Sequence, residues 1–161
     1  MLTRIHALLG LALASLLATP ILAVSASQLM TADGPEIVRD AADLVDVVRP
    51  DIEDKDVTDT VLIFTNKTSA RRPVKCIAFD KNGQAVGRAW LRVPGLGLRF
   101  AFASDIAHNL DFVGQVQCYV GADVVGSSLL LAGGQVTDLP VENGAMISTG
   151  RRILFPVAAT Y

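Results

Sequence analysis

Residues 59–161 are predicted to fold as an antiparallel β-sandwich, all-β, with about seven to nine short strands. Three observations carry this. The region is a succession of short apolar runs rich in β-formers, each closed by Gly, Pro, Asn or Asp. Inside many of the runs, apolar and polar side chains alternate with the two-residue period of a half-buried strand. Two cysteines, Cys76 and Cys118, fall on the apolar phase of two such runs. Strands this short, separated by turns this frequent, point to a sandwich or barrel.

The chain begins with a different pattern. Met1-Leu-Thr-Arg4 supplies a positive start, and residues 7–18 are Ala, Leu and Gly broken only by Ser15. Pro20 interrupts the run, and Val24-Ser25-Ala26 places small residues where a signal peptidase cuts. Residues 1–26 therefore read as a signal peptide, and the mature chain as periplasmic or secreted. The competing reading is a retained membrane helix over 5–24. Pro20 and the cleavage pattern favour removal, so no stable membrane insertion is expected afterwards. No cysteine follows the run to carry a lipid anchor. Cleavage leaves about 135 residues, enough for one ordinary domain, and takes the formal charge from −2 to about −3. So weak an acidic balance gives no electrostatic case for binding nucleic acid or anionic membranes.

Residues 27–58 form a leader. Asp33-Gly34-Pro35-Glu36 has the features of a helix start, with Pro at the first helical position and an acid in the first turn. Ile37, Ala41, Leu44, Val45 and Val48 then share a helical face, and Pro50 would end it. The alternative is an irregular segment with a short strand at 44–48. From Asp51 to Asp59 the chain packs five acids into nine residues. A calcium loop needs alternate oxygen ligands around a sharp Gly turn; here Lys55 intervenes and no Gly is present. The stretch reads as a solvated linker, and no metal is expected.

The strands follow in order. Residues 61–65 and 73–80 are apolar runs, and Asn82-Gly83 is a hairpin signal returning through 85–93. Pro94-Gly-Leu-Gly97 turns the chain into 98–103, and 104–111 is a polar connection with room for one helical turn. Further runs at 112–120, 124–132, 135–141, 145–148 and 153–160 complete the set. Cys76 shares a strand face with Val74 and Ala78, and Cys118 with Val116 and Val120. Both sulfurs thus point inward, and two cysteines in an exported chain read as one disulfide joining facing strands across the core. Two buried free thiols are the alternative.

Cys76, Trp90 and Cys118 together resemble the immunoglobulin order of Cys, Trp and Cys on core strands, which implies a loosely Ig-like architecture. Two features depart from it. Trp90 shares its strand face with Arg88 and Arg92, and Val116 stands where the tyrosine corner would be. No functional residue is carried over. The Thr65-Asn66 turn, Pro73-Val-Lys-Cys76 and Gly95-Leu-Gly-Leu-Arg99 are similar to uncharacterised exported bacterial β-sandwich proteins, a likeness that implies no activity. Alternate Ile153, Phe155, Val157, Ala159 and Tyr161 resemble the last strand of an outer-membrane barrel. Pro156, strands shorter than a span requires and an aromatic content of 6% weigh against it.

Chemistry has few anchors. After His6 in the signal peptide, His108 is the sole histidine, and Asp105 could meet it across a helical turn, as a small hydrolase would need. Ser104, Ser127 and Ser128 lack a nucleophile-elbow setting. Gly95-Leu-Gly97 and Gly133-Gly134 read as turns, and Asn66-Lys-Thr68 as a turn that also fits a glycan acceptor. No motif calls for a cofactor. Phe64, Phe100 and Phe102 would line the cavity of an apolar-ligand carrier. Arg88, Trp90 and Arg92 occupy one strand face, and Arg71-Arg72 and Arg151-Arg152 add pairs at strand approaches. An aromatic ring flanked by guanidiniums suits a protein or glycan partner. The favoured expectation is a non-enzymatic binding or structural module of the bacterial envelope.

Overall fold

Alternation of side chains is met by nine strands, in a computed structural model that describes residues 34–47, 57–147 and 150–160. They are β1 (Thr58–Asn66), β2 (Arg72–Asp80), β3 (Ala85–Val93), β4 (Leu98–Phe102), β5 (Phe112–Val120), β6 (Val124–Ala132), β7 (Gln135–Leu139), β8 (Glu142–Ile147) and β9 (Gly150–Ala159). Two short helices accompany them, α1 (Asp43–Val47) and α2 (Ala103–Ile106). All pairings between strands are antiparallel. One sheet runs β4-β1-β6-β7 and the other β3-β2-β5-β9-β8, so the fold is a sandwich. The expected signal peptide at 1–26 and acids 51–56 lie outside the described residues.

The core sits between the sheets. Leu62 and Phe64 from β1 meet Val74, Cys76, Leu91, Val116, Ile153 and Phe155 from the other sheet, all essentially inaccessible to water. Phe64 and Phe155 meet edge to face across the interface, with ring centroids 5.5 Å apart. Gly126 on β6 makes this contact possible, since a Cβ there would lie 2.7 Å from the Phe155 ring. At one end, Thr58 and Thr160 exchange backbone hydrogen bonds of 2.9 and 2.8 Å and join the sheets. Strand β8 pairs with β9 only as far as Leu154, so Pro156 lies in the half of β9 that β8 does not pair with. The C-terminal strand is thus an interior strand of one sheet.

Turn chemistry explains two of the hairpins. Gly133 and Gly134 both have positive φ, 57° and 74°, as a two-residue type I′ turn between β6 and β7 requires. Between β2 and β3, Gly83 has φ 78°, and the Asp80 carboxylate accepts the amides of Asn82 (2.9 Å) and Gln84 (2.8 Å). Those bonds, that from Gln84 foremost, hold the Asp80 pKa below its ordinary value. Asn66 does comparable work at the end of β1. Its side chain donates to Ala70 and Pro94 carbonyls at 2.7 and 3.1 Å and accepts from Thr68, and it is 1% exposed. This is the turn the sequence suggested, and its burial leaves no room for a glycan.

Three expectations need correction. The disulfide forms, but Cys76 and Cys118 are directly opposed on neighbouring strands β2 and β5 of one sheet, with Cα atoms 4.1 Å apart. It does not cross the core as in the immunoglobulin pattern, and Ala89 rather than Trp90 faces Cys76 from β3. A short helix is present near the start, but among the described residues it covers only Asp43–Val47. Residues 35–37 are instead extended, and Val38 and Val45 of the expected region are 81% and 63% exposed. Asp40 precedes the helix: its backbone amide donates to Asp43 Oδ2 at 3.2 Å, and its own Oδ1 accepts the Ala42 amide at 3.5 Å. Asp59, the last acid of the expected linker, is buried in β1.

Candidate functional site

Strand β3 is the edge of its sheet, and edge strands leave one row of backbone groups open. A strap formed by residues 34–40 takes up part of that row. Trp90 donates its amide to the Pro35 carbonyl at 3.1 Å, and Ile37 donates to the Trp90 carbonyl at 2.8 Å. The strap therefore adds to β3 as a short parallel strand, with Glu36 opposite Trp90. Gly34 is required where the strap begins, because a Cβ there would lie 2.3 Å from the Arg88 carbonyl oxygen.

Beyond Ile37 the strap crosses to the other sheet. Arg39 donates from Nε and Nη2 to the two carboxylate oxygens of Asp105, both at 2.7 Å, a bidentate fork. Its guanidinium also lies 4.6 Å from the Phe102 ring centroid. Asp105 in turn accepts the Phe102 amide at 3.0 Å at the start of α2. The Asp105 hydrogen bonds raise the Arg39 pKa above its ordinary value, against the opposing effect of burial. Since 37% of the Arg39 side chain stays in water, screening keeps the worth of this pair modest. Arg39→Ala is expected to cost about 1 kcal/mol. Amide hydrogen exchange should show it locally, with the Ile37 and Trp90 amides opening faster and the β2–β5 amides unchanged.

The candidate residues distribute over this frame as follows. Arg88, Trp90 and Arg92 share the outward face of β3, alternating with buried Ala89, Leu91 and Val93. Arg88 and Arg92 are exposed and Trp90 half-buried. The Arg92 guanidinium carbon stands 4.9 Å over the Trp90 ring, and its Nε is 3.6 Å from Glu36. Those three side chains are thus brought together on one surface.

Asp105 and His108 are not arranged as a catalytic pair. Asp105 gives both oxygens to Arg39 and the Phe102 amide. His108 lies in the left-handed region at φ 57° and lines an open depression of about 390 Å³ beside Arg88 and Gly34. Ser104 hydrogen-bonds Asp59 Oδ2 at 2.5 Å, both buried, so it fastens α2 to β1. Ser128 is buried as well. The three phenylalanines do not line one cavity: Phe64 points into the core, whereas Phe100 and Phe102 occupy the opposite face of their sheet beneath Arg39. Among the described residues no three His, Cys, Asp or Glu side chains gather as metal ligands, and no helix is long and apolar enough to cross a membrane.

Sequence reasoning missed the strap, and with it a second feature. Arg71 from the β1–β2 loop, Arg92 from β3 and Arg99 from β4 line a cavity of about 220 Å³ bounded by Glu36, Ile37 and Val38. Nothing in the spacing of these arginines links them; only the adjacency of edge strands β3 and β4 does. Comparison with protein-family models, with curated proteins and with solved structures returns no match.

Proposed function

We propose that this protein is a non-enzymatic extracytoplasmic binding or structural module of the bacterial envelope, acting through the outward face of β3. The observation that carries the reading is the Arg88, Trp90 and Arg92 row, with a guanidinium stacked on the chain's one tryptophan at a sheet edge. Aromatic and arginine side chains dominate the energetics of protein contacts, because each combines a large apolar area with directed polar groups. A protein or glycan is the partner class that such a surface suits. The disulfide fits an oxidising compartment, and the signal-peptide pattern of residues 1–26 supports the periplasm or the exterior. A loosely Ig-like relationship is retained only as architecture.

Trp90→Ala is expected to leave the circular dichroism spectrum and thermal midpoint nearly unchanged while weakening partner capture from an envelope extract by about tenfold or more. Capture unaffected by Trp90→Ala and by Arg88→Gln would remove this face from consideration. A hydrolytic reading keeps one supporting observation, the depression beside His108. His108→Ala abolishing turnover in a panel of ester, amide and glycoside substrates would favour it.

A further inference from the structure

We propose that the cavity formed by Arg71, Arg92 and Arg99 beneath the strap is an oxyanion-binding site, taking the carboxylate or phosphate group of a small ligand. The inference rests on the binding-module reading, since Arg92 belongs to both, and it supplies the chemistry of what is bound. The first ground is charge. Three guanidiniums from three separate segments converge on one cavity in a chain whose formal charge is −2, with Glu36 the one acid in its lining. Guanidinium is the side chain whose planar donor fork matches a carboxylate or phosphate.

The second ground is that none of these arginines closes a tight ion pair. Arg92 approaches Glu36 no closer than 3.6 Å, and Arg99 approaches Asp40 no closer than 3.8 Å. Both exceed hydrogen-bond reach, whereas a charge-assisted pair closes to about 2.7–2.9 Å. Arg39, a few residues along the same strap, reaches Asp105 at 2.7 Å twice. Arg71 is exposed and makes no ion pair among the described residues. The fold therefore closes one arginine pair tightly, whereas the three guanidiniums around the cavity make no ion pair within hydrogen-bond reach; Arg99 spends one donor on the Leu98 carbonyl at 3.1 Å. A volume of about 220 Å³ corresponds to about seven water molecules, room for an oxyanion and its nearest atoms.

Glu36 gives the site its selectivity. An incoming oxyanion competes with that carboxylate for Arg92, so a weakly hydrogen-bonding anion such as chloride gains little. The strap carries Glu36, so occupancy also pulls on the segment that covers the β3 edge. Arg92 stacks on Trp90, and drawing the guanidinium toward a ligand changes the environment of the chain's single fluorophore of that kind.

The test is a titration of the oxidised protein with inorganic phosphate, acetate and chloride at matched ionic strength, followed by Trp90 emission and by calorimetry. The expected result is a saturable response to phosphate, acetate or both that chloride does not reproduce, with the two oxyanions reporting which group fits better. Arg71→Gln/Arg99→Gln should weaken that affinity by about tenfold or more, and Glu36→Gln should strengthen it. Arg71→Gln alone, at an exposed loop position, keeps the test valid should the double variant fold poorly. Absence of a saturable calorimetric response, equal potency of chloride, or unchanged affinity in Arg71→Gln and the double variant would overturn the proposal. Loss of partner capture in Trp90→Ala without any oxyanion response in the wild type would sink this inference while leaving the β3 binding face standing. A saturable oxyanion response beside unaltered capture in Trp90→Ala would do the reverse.

Discussion

Replacing Cys76 and Cys118 together by Ala is expected to lower the unfolding free energy by about 4 kcal/mol. The two residues are 42 apart in sequence, and closing a loop of that size in the unfolded chain removes entropy worth about 4 kcal/mol at room temperature. Both sulfurs are buried, at 2% and 0% exposure, so Ala also leaves small unfilled volumes between β2 and β5. Urea unfolding of the variant and of the oxidised wild type measures the difference. Reduced wild-type protein should unfold close to the variant. A loss below about 1 kcal/mol would mean that the unfolded chain is already compact around this pair.

Phe155→Ala is the second large expected effect, at about 3–5 kcal/mol. Phe155 is fully buried, meets Phe64 edge to face, and lies over the space that Gly126 leaves open. Because Gly126 has no side chain to swing into the gap, the cavity left by Ala can close only if Phe64, Ile153 or the backbone shifts. That places the substitution toward the costly end of its range. Equilibrium unfolding gives the magnitude, and a shift of less than about 1.5 kcal/mol would show that the two sheets close readily over the hole.

How far these features could be read from residues alone depends on which physical question alternation answers. A two-residue rhythm separates the faces of a strand, and it placed both cysteines on buried faces. It carries no information on whether two inward residues belong to facing sheets or to neighbours in one sheet, and here they are neighbours. The same limit applies to β4, where Phe100 and Phe102 lie outward while the smaller Ala101 and Ala103 join the core. Small residues suit the inner face of an edge strand where α2 closes the end of the sandwich, and the rings find cover under Arg39 instead. The hairpins at Asn82-Gly83 and Gly133-Gly134 were legible because their chemistry is local. The strap was not. Apolar spacing over 37–48 fits a helix, but the open backbone edge of β3 offered residues 35–37 hydrogen bonds that local propensity could not anticipate. Of the candidate sites, the Arg88, Trp90 and Arg92 row follows from alternation alone, while the cavity of Arg71, Arg92 and Arg99 depends on strands distant in sequence.

The position of the sulfur bridge has a mechanical consequence. Tying β2 to β5 within a single layer, it puts no covalent link between layers, whose adhesion falls to packing contacts such as Phe64 with Phe155 and to the seam at Thr58 and Thr160. Peeling the layers apart and unravelling one layer's weave are therefore separate modes of failure. A reductant loosens only the second, and a dye that lights up on bare apolar surface reports the first even while the bridge is intact.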